Sequence, residues 1–302
     1  MGSPDFGIPA FRRIVQSDYE VPAVVTVPDK KKGRGLKLNY SDVKKFALEY
    51  KIPVLQPENL RDEDFINNLN CLNPDIIVII AFRILPKEIF TIPKLGSINL
   101  HASMLPKYRG AAPINRAIMN GESMSGITTF FLDNSVDTGS IILQKEISIN
   151  INDTFGDVYY RMSEEGANLI IDTINLVKNG TYKLISQDNS IATIAPKIYR
   201  KDCLIDWNKD SISLHNYIRG LSPAPSAYTT SNGKVYKVLK SLLSNIKSNK
   251  IPGTLFSVDK KLYVSTLDND LEILSIQPEG KKAMNATDFV NGMSNDFIIF
   301  SS

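Results

Sequence analysis

Apolar positions in the first half of the chain follow two different periods in turn. Asp75-Ile76-Ile77-Val78-Ile79-Ile80-Ala81 is almost continuously apolar, as a strand covered on both faces should be, and Val21 to Val27 reads as another strand. Ile8, Phe11, Ile14 and Val15 behind Pro9, and then Val43, Phe46, Ala47 and Tyr50, carry the helical spacing of two inward faces. Ser97-Ile98-Asn99-Leu100-His101 reads as a further strand, and Pro106 and Gly110 then force a loop. Gly126–Leu132 and Ser140–Ile147 read as a strand and its return around the turn Asp133–Gly139. From about Thr154 to Asn179 the pattern is one long amphipathic helix, with Asp153 or Thr154 to cap its start and Gly180 its end. Residues 181–200 lack a strong period, and Pro196 biases Ala195 toward extended backbone.

Beyond residue 200 the pattern changes. A short helix around Ser211 to Arg219 precedes short alternating runs at Lys234–Leu239, Gly253–Val258, Leu262–Thr266 and Leu271–Gln277; that length and spacing suggest a small barrel. The expected organisation is an α/β domain with a doubly wound, mostly parallel sheet over residues 1–180, a linker over 181–200 and a small β-barrel domain over 201–302. A doubly wound sheet should place an apolar strand before a loop such as Gly2-Ser3-Pro4, and only Met1 precedes it. Losing a central parallel strand exposes two ladder edges, so the chain as written is expected to be less stable than a form extended upstream. Equal melting temperatures of the two forms would refute this.

Composition agrees with two packed domains: 302 residues, 43% hydrophobic, enough for two cores. No apolar run is long enough to span a membrane, and Met1 is followed directly by Gly, Ser, Pro and Asp with no secretory signal. Cys71 and Cys203 lack metal-ligand spacing and read as reduced cytosolic thiols. A net charge of +3 says little by itself. The charge is concentrated, however. Lys30, Lys31, Lys32, Arg34 and Lys37 surround Gly33 and Gly35 with Asp29 as the one acid, and residues 201–250 hold eight Lys or Arg against three acids. Either set can be a solvated surface or can meet a phosphate backbone. Tyr217, Tyr228 and Tyr236 could stack on nucleotides, with core packing the ordinary alternative.

Candidate chemistry centres on one of only two histidines. Alternation along the strand puts Ser97, Asn99 and His101 on one face, at the carboxyl edge where open α/β sheets bind ligands. Asn99 can donate to a developing oxyanion. His101 can donate likewise or carry a proton, and Asp137, in the turn between two strands, can orient the ring or a water and move protons. Taken singly each has a structural reading: turn chemistry for Asp137-Thr138-Gly139, a satisfied strand-end amide for Asn99, a packed imidazole for His101. His215, within the short helix of the second domain, reads as a packing residue.

The run Asn99-Leu100-His101-Ala102-Ser103-Met104-Leu105-Pro106-Lys107-Tyr108-Arg109-Gly110 closely resembles the folate-dependent formyltransferases. Arg109-Gly110-Ala111-Ala112-Pro113-Ile114 is similar to the branch of that family that acts on methionyl initiator tRNA. Gly2-Ser3-Pro4-Asp5-Phe6, Gly33-Arg34-Gly35, Asp137-Thr138-Gly139, Ile205-Asp206-Trp207, Leu221-Ser222-Pro223-Ala224-Pro225 and Gln277 to Met284 agree in order along nearly the whole chain. The resemblance implies a Rossmann-like formyltransferase domain followed by an oligonucleotide-binding-type (OB-like) barrel. It implies transfer from 10-formyltetrahydrofolate as co-substrate, without a metal, by a bacterial, cytoplasmic, monomeric enzyme of translation initiation. It matches Asn99, His101 and Asp137 to the catalytic trio. Ser103, Met104, Leu105 and Pro106 match the folate-contacting segment, with Met104 where Leu is more usual, and Arg34, flanked by Lys32 and Lys37, matches the tRNA-contacting loop. The family often has Tyr-Gly where Phe82-Arg83 stands. Acceptors other than tRNA, a sugar nucleotide or glycinamide ribonucleotide, would use the same trio without needing the basic barrel. A hydrolase would replace the amine by water, and a catalytically dead tRNA-binding module would lack the trio.

Overall fold

The computed structural model describes residues 1–32, 37–292 and 298–301. The chain packs as two units. The first comprises Met1–Gly110, Gly126–Ile147 and Tyr159–Ile194, and the second comprises Ala111–Ser125, Ser148–Val158 and Ala195–Ser302.

In chain order the first elements are α1 (Ile8–Val15), β1 (Val24–Val25), β2 (Lys30–Lys32), β3 (Lys37–Asn39), α2 (Asp42–Glu49), β4 (Val54–Leu55) and α3 (Glu63–Leu72). β5 (Ile77–Ile80), α4 (Lys87–Phe90), β6 (Ser97–His101) and β7 (Arg109–Gly110) follow. The helices start where side chains satisfy amides that have no intrahelical partner: Ser41 caps Lys44 N and Asp62 caps Phe65 N. β1 pairs in parallel with β4, and β5 in parallel with β6. Met1 and Gly2 lie between these pairs: Gly2 N donates to Val25 O at 3.1 Å and Ile80 N to Met1 O at 2.9 Å. The core on one side gathers Val25, Phe65, Leu69, Ile77, Ile79, Leu85 and Ile89. Another cluster gathers Phe11, Val24, Val43, Phe46 and Ala47, so the helical stripes turn inward at these positions, while Tyr50 at the end of the second is exposed.

One expectation changes here. The strand expected over Val21–Val27 is reduced to Val24 and Val25, because Pro22 and Pro28 lack the N–H that a ladder needs. The basic segment that the resemblance matches to a loop includes an antiparallel pair, β2 with β3, in which Lys32 stands opposite Lys37. Arg34 lies outside the described residues. Asp29, the one acid of the run, is held at its base: Lys44 Nζ reaches its Oδ2 at 2.5 Å and Gln56 Nε2 donates to its Oδ1 at 2.9 Å. These bonds, Lys44's first, hold its carboxyl below the usual carboxylate range.

The next elements are α5 (Pro113–Met119), β8 (Met124–Phe131), β9 (Ile141–Ser148), α6 (Phe155–Asn179) and β10 (Ile194–Ala195). The four-stranded sheet runs β5-β6-β8-β9, with β8 antiparallel to β6 and Thr128 opposite His101. Thr154 and Asp157 form a reciprocal cap at the start of α6: Asp157 N donates to Thr154 Oγ1 at 3.3 Å and Thr154 N to Asp157 Oδ2 at 2.9 Å.

The rest of the second unit is α7 (Ser211–Gly220), β11 (Ala227–Ser231), β12 (Lys234–Leu242), β13 (Thr254–Val258), β14 (Lys261–Val264), β15 (Leu271–Pro278), β16 (Met284–Asn285), α8 (Ala286–Asn291) and β17 (Ile298–Ile299). Strand order is β11-β12-β15-β14-β13-β17, and an antiparallel bridge between Ser301 and Thr230 closes the sheet on itself. Closure removes exposed edges. β11 turns no large apolar residue inward; its inward positions are Ala227, Thr229 and Ser231. Trp207 fills the barrel core, fully buried, with Nε1 donating to Thr229 Oγ1 at 3.1 Å. Tyr236 packs against Phe289 and Phe300, and Tyr217 donates its hydroxyl to Asp202 O and Leu204 O, so both are occupied in packing. His215 is buried, with Nε2 donating to Ile151 O at 2.9 Å and Nδ1 3.0 Å from Ser241 Oγ, a structural role. No helix among the described residues is long and apolar enough to cross a membrane.

Candidate active site

β6 delivers Asn99 and His101 to the carboxyl edge that it shares with β5. Asn99 is half-buried between Ile79 of β5 and Phe130 of β8. His101 follows two residues later, and its ring is fixed by chemistry that the local sequence does not reveal. Nε2 lies 2.9 Å from Tyr108 O; a carbonyl only accepts, so Nε2 carries the hydrogen. Nδ1 then points at Asp137 Oδ2, 3.7 Å away, with both side chains largely screened from water at 8% and 13% exposure. Asp137 sits at φ +56°, in the left-handed region that Asp visits more readily than most residues, and the same Oδ2 accepts Gly110 N–H at 2.8 Å.

Gly139 completes the turn for a steric reason. A Cβ there would stand 1.7 Å from Phe131 O, so no side chain fits while the strand keeps its place. Gln187 spans the turn from the other side: its Nε2 donates to Asp137 O at 2.9 Å and Gly139 O at 2.8 Å.

The segment after His101 is braced by one hydroxyl. Thr128 Oγ1 donates to Ser103 O at 2.7 Å and receives Leu105 N at 3.2 Å and Gln144 Nε2 at 3.0 Å. Gln144 Nε2 also donates to Leu105 O at 2.9 Å. Ser103 and Leu105 are buried, Ser103 Oγ donating to Lys107 O at 2.6 Å, while Met104 and Pro106 are half-buried. The Met104 thioether occupies space that Gly126 vacates, since a Cβ on Gly126 would lie 2.3 Å from Met104 Sδ.

Phe82 and Arg83 follow β5 at the same edge. The Arg83 guanidinium donates to Pro57 O at 2.8 Å and Glu58 O at 3.0 Å, so the extra charge beside the sheet is committed to main-chain carbonyls. Ile84, next along, is 76% exposed.

The sequence-expected trio therefore falls in one place: Asn99 and His101 through strand alternation, Asp137 through a turn that returns to them. Lys32 and Lys37 are register partners in the β2–β3 pair. Thr128, Gln144, Gln187 and Thr193, whose Oγ1 accepts Tyr108 N at 2.9 Å, were not legible as site residues. Thr128 alternates with Gly126 and Phe130 on one strand face, a usable signal once the register with His101 is known; Gln187 has none. Among the described residues no group of His, Cys, Asp and Glu is arranged to hold a metal ion.

Residues 9–174 match the formyl transferase family and residues 197–294 the formyl transferase C-terminal domain. The chain is 45% identical to a methionyl-tRNA formyltransferase of Clostridioides difficile, over 97% of this chain and 95% of that relative. It is 43% identical to a methionyl-tRNA formyltransferase of Azobacteroides pseudotrichonymphae, over 97% and 94%. Among solved structures, it is similar to WlaRD, a sugar 3N-formyl transferase crystallised in the presence of dTDP and 5-N-formyl-THF, at a TM-score of 0.68 and 25% identity, over 93% of this chain and 97% of that one. With both domains matched and full-length relatives well above 30% identity, the chain belongs to the formyl transferase family.

Proposed function

We infer that this chain transfers a formyl group from 10-formyltetrahydrofolate to the α-amine of methionine esterified to initiator tRNA, the step that prepares that tRNA for translation initiation. The observation that carries this reading is identity above 40% to methionyl-tRNA formyltransferases over almost the whole of both chains, combined with an Asn, a His and an Asp gathered at one sheet edge. A sugar as acceptor is the activity of the structural neighbour, which is much less similar in sequence.

The folate supplies the activated formyl group. Pro106, half-buried, and Ile84, exposed, put apolar surface on the segments that leave β6 and β5, which suits a flat ring. At the sheet edge the Asn99 amide donates to the formyl oxygen as it gains negative charge during attack by the amine. His101 holds one proton at Nε2, and to reach the same oxygen that N–H exchanges its bond to Tyr108 O. A second proton, released by the attacking amine, is taken up at Nδ1, where it lies between ring and Asp137 carboxylate. Asp137 keeps the imidazole and a water in place and helps return a proton to the departing folate nitrogen. Much of the acceleration comes from holding two substrates together, an effect that can be very large. Ser103 and Leu105 shape the folate segment from inside, and Met104 and Pro106 present its surface.

Residues 1–180 form the catalytic domain, 181–200 the connection and 201–302 a tRNA-binding barrel, in a cytoplasmic monomer. Lys32 and Lys37 of the β2–β3 pair, together with Arg34, meet the phosphates of the tRNA acceptor end; Asp29, the acid of this basic run, is paired with Lys44. The basic surplus of residues 201–250 supplies affinity without reading sequence.

The test is formylation of radiolabelled methionyl initiator tRNA with formyltetrahydrofolate, run in parallel with elongator tRNA. Labelled formylmethionine on the initiator alone is the expected result. No product from folded protein, with formyl transfer to an amino sugar nucleotide instead, would overturn the reading.

A further inference from the structure

We propose that Gln187 is a positioning residue for the transfer reaction, acting through Asp137. The proposal rests on the formyl-transfer reading of the same site. All four hydrogen-bonding positions of the Gln187 amide are used. Its Oε1 accepts from Arg109 Nε at 3.1 Å and Arg109 Nη2 at 2.7 Å. Its Nε2 donates to Asp137 O at 2.9 Å and Gly139 O at 2.8 Å. The amide cannot be reversed, since turning it over would set N–H groups against the guanidinium and an oxygen against two carbonyls.

The contacts close into a ring. From the Asp137 main chain it passes through the Gln187 amide to the Arg109 side chain. The next residue's N–H, that of Gly110, donates to Asp137 Oδ2 at 2.8 Å and returns to the start. Arg109 is itself anchored, its N–H donating to Thr193 O at 2.9 Å and its Nη2 to Asn189 Oδ1 at 2.8 Å.

Two consequences bear on the chemistry. Bonds to the carbonyls of Asp137 and Gly139 hold Asp137 at φ +56°, a conformation uncommon for a residue with a side chain, and so aim its carboxylate. The side-chain acceptors of Arg109 here are neutral amide oxygens, from Gln187 and Asn189. With Gln187 interposed, Nε and Nη2 of the guanidinium are engaged by neutral amides and the Asp137 carboxylate is left to face His101 Nδ1. A carboxylate at position 187 would satisfy Arg109 but would set oxygen against the two carbonyls of the turn.

Gln187→Leu removes the brace. Gln187→Glu keeps the acceptors for Arg109 and removes both donors. Displacing a reacting group by about 1 Å costs on the order of 100-fold in rate, so both variants should lose about that factor in kcat, with KM for each substrate within about threefold of the parent. The decisive comparison is in an Asp137→Asn background, where the residue through which Gln187 acts is already disabled. Gln187→Leu should there lower kcat less than about twofold, because interactions that share a partner are not additive. An independent readout needs no substrate: exchange of the Gly110 amide hydrogen, followed by NMR, should accelerate at least tenfold in both variants relative to amides of the β5–β6 ladder, which report global stability.

An equal loss of kcat in both backgrounds, a defect confined to KM, or unchanged Gly110 exchange would overturn the proposal. Absence of formyl transfer by the unmutated protein would overturn the functional reading instead, and the Gly110 exchange result would still decide the brace.

Discussion

Gly139→Ala tests whether the Asp137 turn is set by its fit against the strand more than by its local sequence. The added Cβ would stand 1.7 Å from Phe131 O and 2.9 Å from Phe131 C, against an ordinary contact of 3.4 Å or more. Both obstacles are backbone, so no rotamer change relieves the overlap. The turn must withdraw from β8 by well over 1 Å, or the strand must yield where Phe131 N donates to Ser140 O at 3.1 Å. Overpacking of this kind costs about 1–3 kcal/mol, to which loss of the Gln187 bond to Gly139 O adds roughly 1 kcal/mol. Withdrawal also carries Asp137 away from His101. A displacement of about 1 Å at a reacting group is worth on the order of 100-fold in rate, so kcat should fall by that order, with the folate KM changed much less. Denaturant unfolding gives the stability loss and single-turnover formylation the rate. A variant with kcat within twofold of the parent and unchanged unfolding midpoint would refute the reasoning, because the turn would then have room that the geometry denies it.

Asn99→Ala, His101→Ala and Asp137→Ala should each lose most turnover while still folding; near-parent rates in all three would remove the proposed mechanism. Thr128→Val leaves Ser103 O and Leu105 N without their shared partner. It should cost about 1–3 kcal/mol for each buried group left unpaired, seen in denaturant unfolding, and should raise the folate KM; unchanged values for both would count against the brace. Burial, the largest influence, lowers the pKa of His215, with its bond to Ile151 O opposing and the Arg219 charge reinforcing the shift. The unfolded chain therefore takes up a proton near pH ~6.5 that the folded chain refuses. The stability contributed by neutral His215 is full above that value and falls as pH drops below it. Unfolding free energies at pH 7.5 and 5.5 should show the fall, a smaller one in His215→Gln, and an equal fall in both proteins would assign it elsewhere. Arg34→Ala should weaken productive tRNA binding and leave folate binding intact; unchanged tRNA kinetics would remove the residue from the interface.

Features with local causes were legible in the chain before it folds. Alternation defined β6 at Ser97–His101 and the face carrying Asn99 and His101, because side chains on a strand can point only two ways. The helical stripes, the Thr154 start of α6 and four of the barrel strands followed from periodicity and capping, which act within a turn or two. The signature around His101 carried the chemistry further than spacing could, since Asp137 read locally as no more than a turn residue.

Tertiary structure decided what depends on residues distant in the chain. The approach of Asp137 to His101 is set by the pairing of β8 beside β6 and by the Phe131 carbonyl against Gly139. Gln187 is invisible in a segment without a period, yet it ties Arg109 to that turn from a position 50 residues beyond Asp137. Closure of the barrel by Thr230 and Ser301 has no local mark either, and the inward positions of β11 are all small. Local pattern records which face of an element is apolar. Register, side-chain bridges and close backbone approach arise only when separate elements meet, and those contacts place Asp137 against His101.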